Sequence, residues 1–555
     1  MRSLIFCVAL LFSLAHRSIA QSSPTWLWSQ QIGGTGDDYP GAVATDIIGN
    51  TVATGYFEGT VQLGTTSLSC QTGSTRNIYV AKYDGAGALL WARRAGDAGP
   101  GNGYTATSLN ITTDNAGNVY VVGDYTGTIT FGTITLTGNN FGINAFLVKY
   151  SASGIPVWAK TISSQTGSDN HAVAVDANEN VIVAGTYSGT ASFGALSLTS
   201  LSTVNTDAFL AKYDNQGIIQ WARSLGGSSD DDVAGIRLDS QGNVFVAGSF
   251  ASYLTLGGQS IVSNGLYDAF LAKYDAQGIL AWANNYGGAG DDFATAVAVD
   301  AIGNAWLGGV FNATASFGIA LSLVSQGNTD GFVLKCNGAG NATWVHRIGG
   351  IGYDEVGSLT TGLNGDVYAL SSFEGTITLG SQTLISAGSG DVVLERLSTM
   401  GNTAWAVRGG GVGYEVARGV AYGVNGRLSL TVGFGNTTQF GPFASSSRGK
   451  FDTVVLQIQD NALLGSKQSQ ALNWQAYPNP FSRQLTVDVS QLSRSVEVCL
   501  KDAVGREVLR QSIPVSTGQK ECVLPIGDNL TSGIYWLQLI TEGHVIETKR
   551  LIKLP

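Results

Sequence analysis

The segment WARSLGGSSDDDVAGIRLDSQGNVFVAGSF at 221–250 returns one repeat later as WANNYGGAGDDFATAVAVDAIGNAWLGGVF. Internal repetition of this kind constrains a fold more than any single motif, because each copy must bury its apolar face against the next. Tryptophan sets the register: Trp28, Trp91, Trp158, Trp221, Trp282, Trp344 and Trp405 recur at intervals of 61 to 67 residues, so seven copies are present. Within a copy, a strand such as Ala296–Asp300 enters the turn AIGN and leaves through a second strand, the Asp/Gly/Asn chemistry of a tight hairpin. A third strand, DAFLAKYD at 207–214 and again at 268–275, alternates with period two and turns at NQG or AQG into the Trp-bearing fourth. The 75 glycines and 10 prolines suit many short strands joined by tight turns.

Four principal strands per copy is a propeller blade, so the expected fold class is all-β: a seven-bladed β-propeller followed by a small antiparallel β-sandwich. An excursion between the second and third strands, marked by Phe131-Gly132, Phe193-Gly194, Leu256-Gly257, Phe317-Gly318, Leu379-Gly380 and Phe440-Gly441, lengthens each copy. The chain enters with an isolated strand, WLWSQQIGG, and the seventh copy stops after FDTVVLQIQD without its fourth. The N-terminal strand is therefore expected to complete the last blade and leave no open edge.

Four segments follow. Residues 1–20 read as a signal peptide: Arg2, an apolar run from Leu4 to Leu14, and Ser18 and Ala20 at the −3 and −1 positions of a cut before Gln21. Residues 21–460 hold the repeats, 461–473 a polar linker, and 474–555 a second domain with turns at AVG, TSG and TEG. No later run reaches the roughly 18 apolar residues of a spanning helix, so no transmembrane segment is expected. Cys7 lies inside the apolar run, away from any lipidation motif. Of Cys70, Cys336, Cys499 and Cys522, the last two sit on candidate strands of the second domain and can pair, while the first two fall in non-adjacent repeats and are expected to stay reduced. A net charge of −10 disfavours nucleic acid as a partner.

The run GGxGDD, VAVDxxGNVYVAG, DAFLAKYDxxGxLxWA resembles the SBBP repeat of bacterial seven-bladed β-propellers over about residues 26–460, with ERLS and LQIQ as departures in the last two copies. That resemblance implies the fold and no single activity. The tail resembles the type A C-terminal sorting domain of the type IX (Por) secretion system: Tyr477-Pro478-Asn479-Pro480, then DAVGRE with Gly505, then SGIYWLQL with Gly533 and Tyr535, then TKRLIKL with Lys549. The resemblance implies sorting by the type IX machinery to the medium or the outer surface of a Gram-negative bacterium. It further implies removal of the tail, often with exchange for a lipid–sugar anchor.

Carboxylates recur after the double glycine: Asp38, Asp231, Asp292, Asp354 and Glu415, with Asp37, Asp230 and Asp291 beside them. A closed array gathers such positions at one end, and calcium is the cofactor that clustered oxygens would take. The competing reading, given more weight, has each side chain accept backbone N–H bonds in its own loop. DSQGN and DNAGN also open like a calcium loop, but lack its later bidentate Glu and read as turns. A basic series, Lys82, Lys149, Lys212, Lys273, Lys335 and Arg396, broken by Gln457, is expected to pair with carboxylates of neighbouring blades. The tryptophans are read as inter-blade packing before sugar stacking. His171, His346 and His544 sit in unrelated contexts without a nucleophile or metal motif, so an enzyme is not expected; a carboxylate-based glycan hydrolase is the remaining alternative. The reading favoured is a binding scaffold for protein or glycan ligands, against a structural surface component with no discrete ligand.

Overall fold

The computed structural model describes residues 23–70, 75–96, 106–139, 142–164, 168–202, 204–461, 476–488, 496–502, 507–513, 521–526, 530–541 and 544–554. The signal-peptide segment, and all of the linker except Asn461, lie outside them. Contacts divide the chain into two units, Met1–Ala462 and Leu463–Pro555.

The repeats form an all-β, propeller-like array. In the first repeat, Asp38–Thr45, Thr51–Phe57, Asn77–Tyr83 and Leu89–Gly96 pair in chain order, all antiparallel. The same order recurs in groups that begin at Ala106, Ser168, Asp231, Phe293, Glu355 and Glu415. We number these repeats one to seven and call the first strand of each the inner strand. Repeat seven takes its fourth strand from the other end of the chain: Thr25–Gly34 pairs with Phe443–Gln459, from Thr25 opposite Gln459 to Ile32 opposite Thr453. Successive inner strands touch, and Glu415–Tyr422 touches Asp38–Thr45, so the array closes on itself.

The recurrent tryptophans stitch each repeat to the next. Trp91 Nε1 donates to Ala152 O at 3.0 Å, and Trp158 and Trp344 make the equivalent bonds to Asn215 O and Thr399 O. The indole lies over a turn glycine of the following repeat. A Cβ on Gly154, whose φ is +78°, would stand 2.7 Å from the Trp91 ring, so this glycine serves both the turn and the close approach.

The excursion between second and third strands is a short hairpin, as in Thr128–Phe131 with Ile134–Thr137. Its first strand pairs with the fourth strand of the preceding repeat, Phe131 opposite Ala95. Equivalent pairings recur along the array, so the excursion covers part of an edge that would otherwise stand open.

The structure corrects one expectation and answers one pairing the sequence left open. The basic series pairs within its own repeat: Lys82 with Asp46 at 2.9 Å, Lys212 with Asp176 at 3.1 Å, Lys273 with Asp239 at 3.4 Å and Arg396 with Asp366. The reason is geometric, because the turn after the inner strand and the end of the third strand lie at the same end of one sheet. What crosses between repeats is mainly a hydrogen bond to a backbone carbonyl, as from Lys82 Nζ to Gly117 O. Two members also reach a carboxylate of the next repeat, Lys149 to Glu179 and Arg396 to Asp460, each at 3.0 Å. Cys499 and Cys522 are free thiols, as are Cys70 and Cys336. The first two lie on strands of different sheets.

In the second unit, Ala476–Tyr477, Gln484–Asp488 and Glu521–Pro525 form one antiparallel sheet. Glu507–Ile513, Val496–Asp502, Gly533–Thr541 and His544–Lys553 form another. Phe481, Leu485, Leu500, Ile513, Leu537 and Leu551 share one buried core.

Candidate functional site

The double glycine that precedes the recurrent carboxylates has a packing cause. A Cβ on the first glycine would collide with a third-strand side chain: at Gly226 it would lie 2.2 Å from Asp207 Cγ. At the second, Gly227, it would lie 1.9 Å from Tyr253 O. The amide of that second glycine donates to the inner-strand carboxylate four residues on, so Asp231, Asp292 and Asp354 accept from Gly227, Gly288 and Gly350 at 2.6 to 2.7 Å. Asp38 accepts from Gly34 in the same way, and Glu415 from Gly411 at 3.2 Å.

Each of these carboxylates also faces a second one from the preceding repeat: Asp38 faces Asp452, Asp231 faces Asp207, Asp292 faces Asp268, Asp354 faces Asp330, and Glu415 faces Asp391. Backbone bonds hold the two repeats together here, with Asp231 N donating to Thr206 O at 2.9 Å and Asp292 N to Tyr267 O at 2.8 Å. Nine of the ten side chains have no exposed surface, and Asp292 has 1%. The third-strand partners were missed in sequence although they open the quoted DAFLAKYD motif; the register between repeats, which alone brings them opposite, is not written in either segment. The series spans repeats one and four to seven. The inner strand of repeat two opens at Ala106, and that of repeat three at Ser168.

Burial, followed by the like charge opposite, pushes these acids up: Asp292 and Asp354 to about 6, Asp38 and Glu415 to about 7, and Asp231 to about 8. Two facing carboxyls in a dry site cannot both ionise cheaply, and the like charge opposite adds to the rise that burial causes. Asp207 and Asp231 each leave a buried Oδ1 without a hydrogen-bond partner. Calcium asks more of a site, six to eight oxygens, and among the described residues no group of three or more His, Cys, Asp or Glu gathers around one point. In the turns that open like calcium loops, Asp239 Oδ1 accepts from Gln241 N and Asn243 N, and Oδ2 accepts from Asn243 Nδ2 and faces Lys273.

The sign of the pH dependence follows. Asp231 binds its proton more tightly in the folded state than at its ordinary 3.8, so its contribution is complete below about pH 4 and is lost as pH rises through about 8. Asp231→Asn, a neutral stand-in, is expected to gain on wild type by about 2–4 kcal/mol between pH 5 and pH 8, and to be the more stable protein at pH 8. Urea unfolding at the two pH values checks this; a variant equally destabilised at both would show the carboxylate to be needed in its charged form.

In the tail, the residues of the sorting resemblance meet. Phe481 N donates to Ile552 O and Leu554 N to Phe481 O, both at 2.8 Å, so the Tyr477–Phe481 segment lies along the last strand. Asn479 Oδ1 accepts from Ile552 N at 2.9 Å. Tyr535 is buried, stands edge-on to Phe481, and donates to Thr531 O at 2.8 Å. Pro478 and Pro480 flank Asn479 in the bend after Tyr477, Gly533 opens the strand opposite Lys553, and Lys549 sits opposite Leu537. Gly505 lies outside the described residues.

Comparison with known proteins agrees at this end of the chain. Residues 475–553 match the family model described as the secretion system C-terminal sorting domain, which implies sorting by type IX secretion to the medium or the cell surface. The chain is 26% identical over 360 residues to an uncharacterised WD repeat-containing protein of Acanthamoeba polyphaga mimivirus, covering 53% of this chain and 26% of that one. It is 33% identical over 108 residues to the regulatory protein FlaEY of Caulobacter vibrioides, covering 19% and 11%. The chain thus spans about a quarter or less of the length of these curated relatives. Among solved structures, PorZ, a surface component of the type IX secretion system of Porphyromonas gingivalis, aligns at 11% identity and a TM-score of 0.30 over 93% of this chain and 75% of that one. No described helix is long and apolar enough to cross a membrane.

Proposed function

We propose that the chain is an exported seven-bladed β-propeller of the SBBP type, made with a cleaved signal peptide and sorted by a C-terminal β-sandwich. At the cell surface or in the medium it acts as a binding scaffold for a protein partner and not as an enzyme. The observation that carries this reading is an apolar arc on one face. The turns after the inner strands of repeats five, six, seven and one present Ile302, Leu363, Val424 and Ile48, which are neighbours around the closed array; Ile302 and Leu363 are 83% and 85% exposed. Met400, in the turn before the fourth strand of repeat six, opens on the same face and is also exposed. Contiguous apolar exposure of this kind marks interaction surfaces. The framework side chains, by contrast, are occupied with one another: tryptophans on turns, lysines on aspartates, carboxylates on carboxylates.

An array of outer-surface and host proteins and glycans, probed with wild type and with Ile48, Ile302 and Leu363 all changed to Ser, tests this. The reading expects a specific protein ligand that the triple variant loses. Glycan binding untouched by the variant would place the ligand elsewhere. Self-association abolished by it, with no other ligand, would favour a structural surface component.

A further inference from the structure

The inner strands surround a central channel. Two residues before each turn that ends an inner strand, six repeats carry a small side chain: Ala44, Thr112, Ala174, Ala298, Thr360 and Ala421. Repeat four alone carries a long cation there, Arg237. Its side chain lines two adjoining cavities. The outer, of about 540 Å³, is bordered also by His171, Asn110 and Arg418. The inner, of about 210 Å³, is bordered by strands of repeats one, two, three, six and seven, and Arg237 is the sole lining residue there from repeats four and five. Arg237 therefore reaches across the space that two repeats would otherwise leave.

Among the described residues no carboxylate pairs with this guanidinium, and its hydrogen bond is from one terminal nitrogen to the carbonyl of its own neighbour, Ile236, at 2.9 Å. The other basic side chains nearby are engaged. His171 stands 3.4 Å from Asp232, and Arg418 lies over the Tyr39 ring at 5.7 Å. Burial lowers the pKa of Arg237, with no charged neighbour contributing. A half-buried guanidinium in this enclosed channel has no counter-charge among the described residues, and its planar fork matches the two oxygens of a carboxylate, phosphate or sulfate.

We infer that the central channel is a binding site for a small oxyanion, a carboxylate, phosphate or sulfate group, held by Arg237. Thr112 lines the same inner cavity and offers a hydroxyl donor beside the fork, while the outer cavity has room for the body that carries the group. The site rests on the closure of the array and is independent of the apolar arc.

Titration calorimetry and thermal melting of the exported full chain with inorganic phosphate, sulfate and glucuronate, against glucose and matched sodium chloride, test the site. At least one oxyanion is expected to bind wild type and raise its melting temperature, since a ligand held by the folded state stabilises it. Arg237→Met is expected to weaken that binding by about tenfold or more, and Arg237→Lys, which keeps the charge and loses the fork, by a smaller factor. Without ligand, Arg237→Met is expected to melt at or above wild type, because a half-buried charge without a counter-charge is removed. Equal binding by wild type and Arg237→Met, or no binding of any of the three oxyanions, overturns the proposal. So does an Arg237→Met protein that melts well below wild type in anion-free buffer, which would make the arginine a structural pillar. Circular dichroism of each variant separates loss of the site from loss of the fold.

Discussion

Deleting residues 21–35 is expected to lower the melting temperature by about 10 °C or more, or to prevent folding altogether, although the segment is a small fraction of the chain. It contains the strand Thr25–Gly34, which does two things at once. On one side it pairs with Phe443–Gln459 over its length; on the other, Ile32–Gly34 pair with the hairpin strand Thr60–Leu63 of repeat one. It also buries Trp28 and Ile32. Trp28 Nε1 donates to Gln457 at 3.1 Å and its ring lies against Gly87, the same indole-on-glycine junction that repeats one to five make with their successors. Loss of two such side chains alone costs roughly 5 kcal/mol or more, a large part of the stability of an ordinary domain. The deletion also leaves the strand Phe443–Gln459 with a bare edge, so aggregation should rise. A synthetic peptide of the deleted residues, added in trans, is expected to restore the melt in part by strand addition. An unchanged melting temperature would mean that closure contributes nothing to stability.

The second large effect is on destination. Removing residues 470–555 is expected to leave a folded array that crosses the inner membrane and stops in the periplasm, with its surface or medium fraction reduced to background. The physical basis is the separation of the two units. Contacts divide the chain after Ala462, and the tail has its own buried core around Phe481, Leu500 and Leu537. The repeats need nothing from the tail to close, since their last edge is already covered by Thr25–Gly34. Melting of the truncated protein near the wild-type value, with export lost, separates a missing address from a damaged passenger.

Much of this fold could be read along the chain, for an identifiable reason. A tryptophan every 61 to 67 residues recurs seven times and turns of the form DxxGN four times, and repetition averages out the ambiguity of any one strand. The unpaired strand at each end of the array announced the pairing of Thr25–Gly34 with Phe443–Gln459. What could not be read was register between repeats. Asp207 and Asp231 are both plain in the sequence, 24 positions apart, but the opposition of their carboxyls depends on how the third strand of one repeat lies beside the inner strand of the next. The same gap misplaced the partners of the lysine series by one repeat. The excursion was visible through its Phe-Gly tips, whereas its pairing with the preceding repeat belongs to the assembled array. Arg237 carried no signal, since a single departure from a row of alanines and threonines matters only once that row surrounds a channel. In the tail, Asn479 and the final strand were recognisable as separate motifs, and the bond from Ile552 N to Asn479 Oδ1 joins them.

The most direct measurement of the account is transplantation. Residues 463–555 fused behind an unrelated protein that already carries a signal peptide, expressed in a host with type IX secretion, are expected to send it to the surface or medium, shortened at its C-terminal end. Asn479→Ala in the same fusion, which removes the side chain that holds the Tyr477–Phe481 segment to the last strand, is expected to reduce that fraction. Fractionation by surface protease access and immunoblotting reads both. A wild-type fusion that stays in the periplasm at full length would contradict the assignment of this domain as the chain's address.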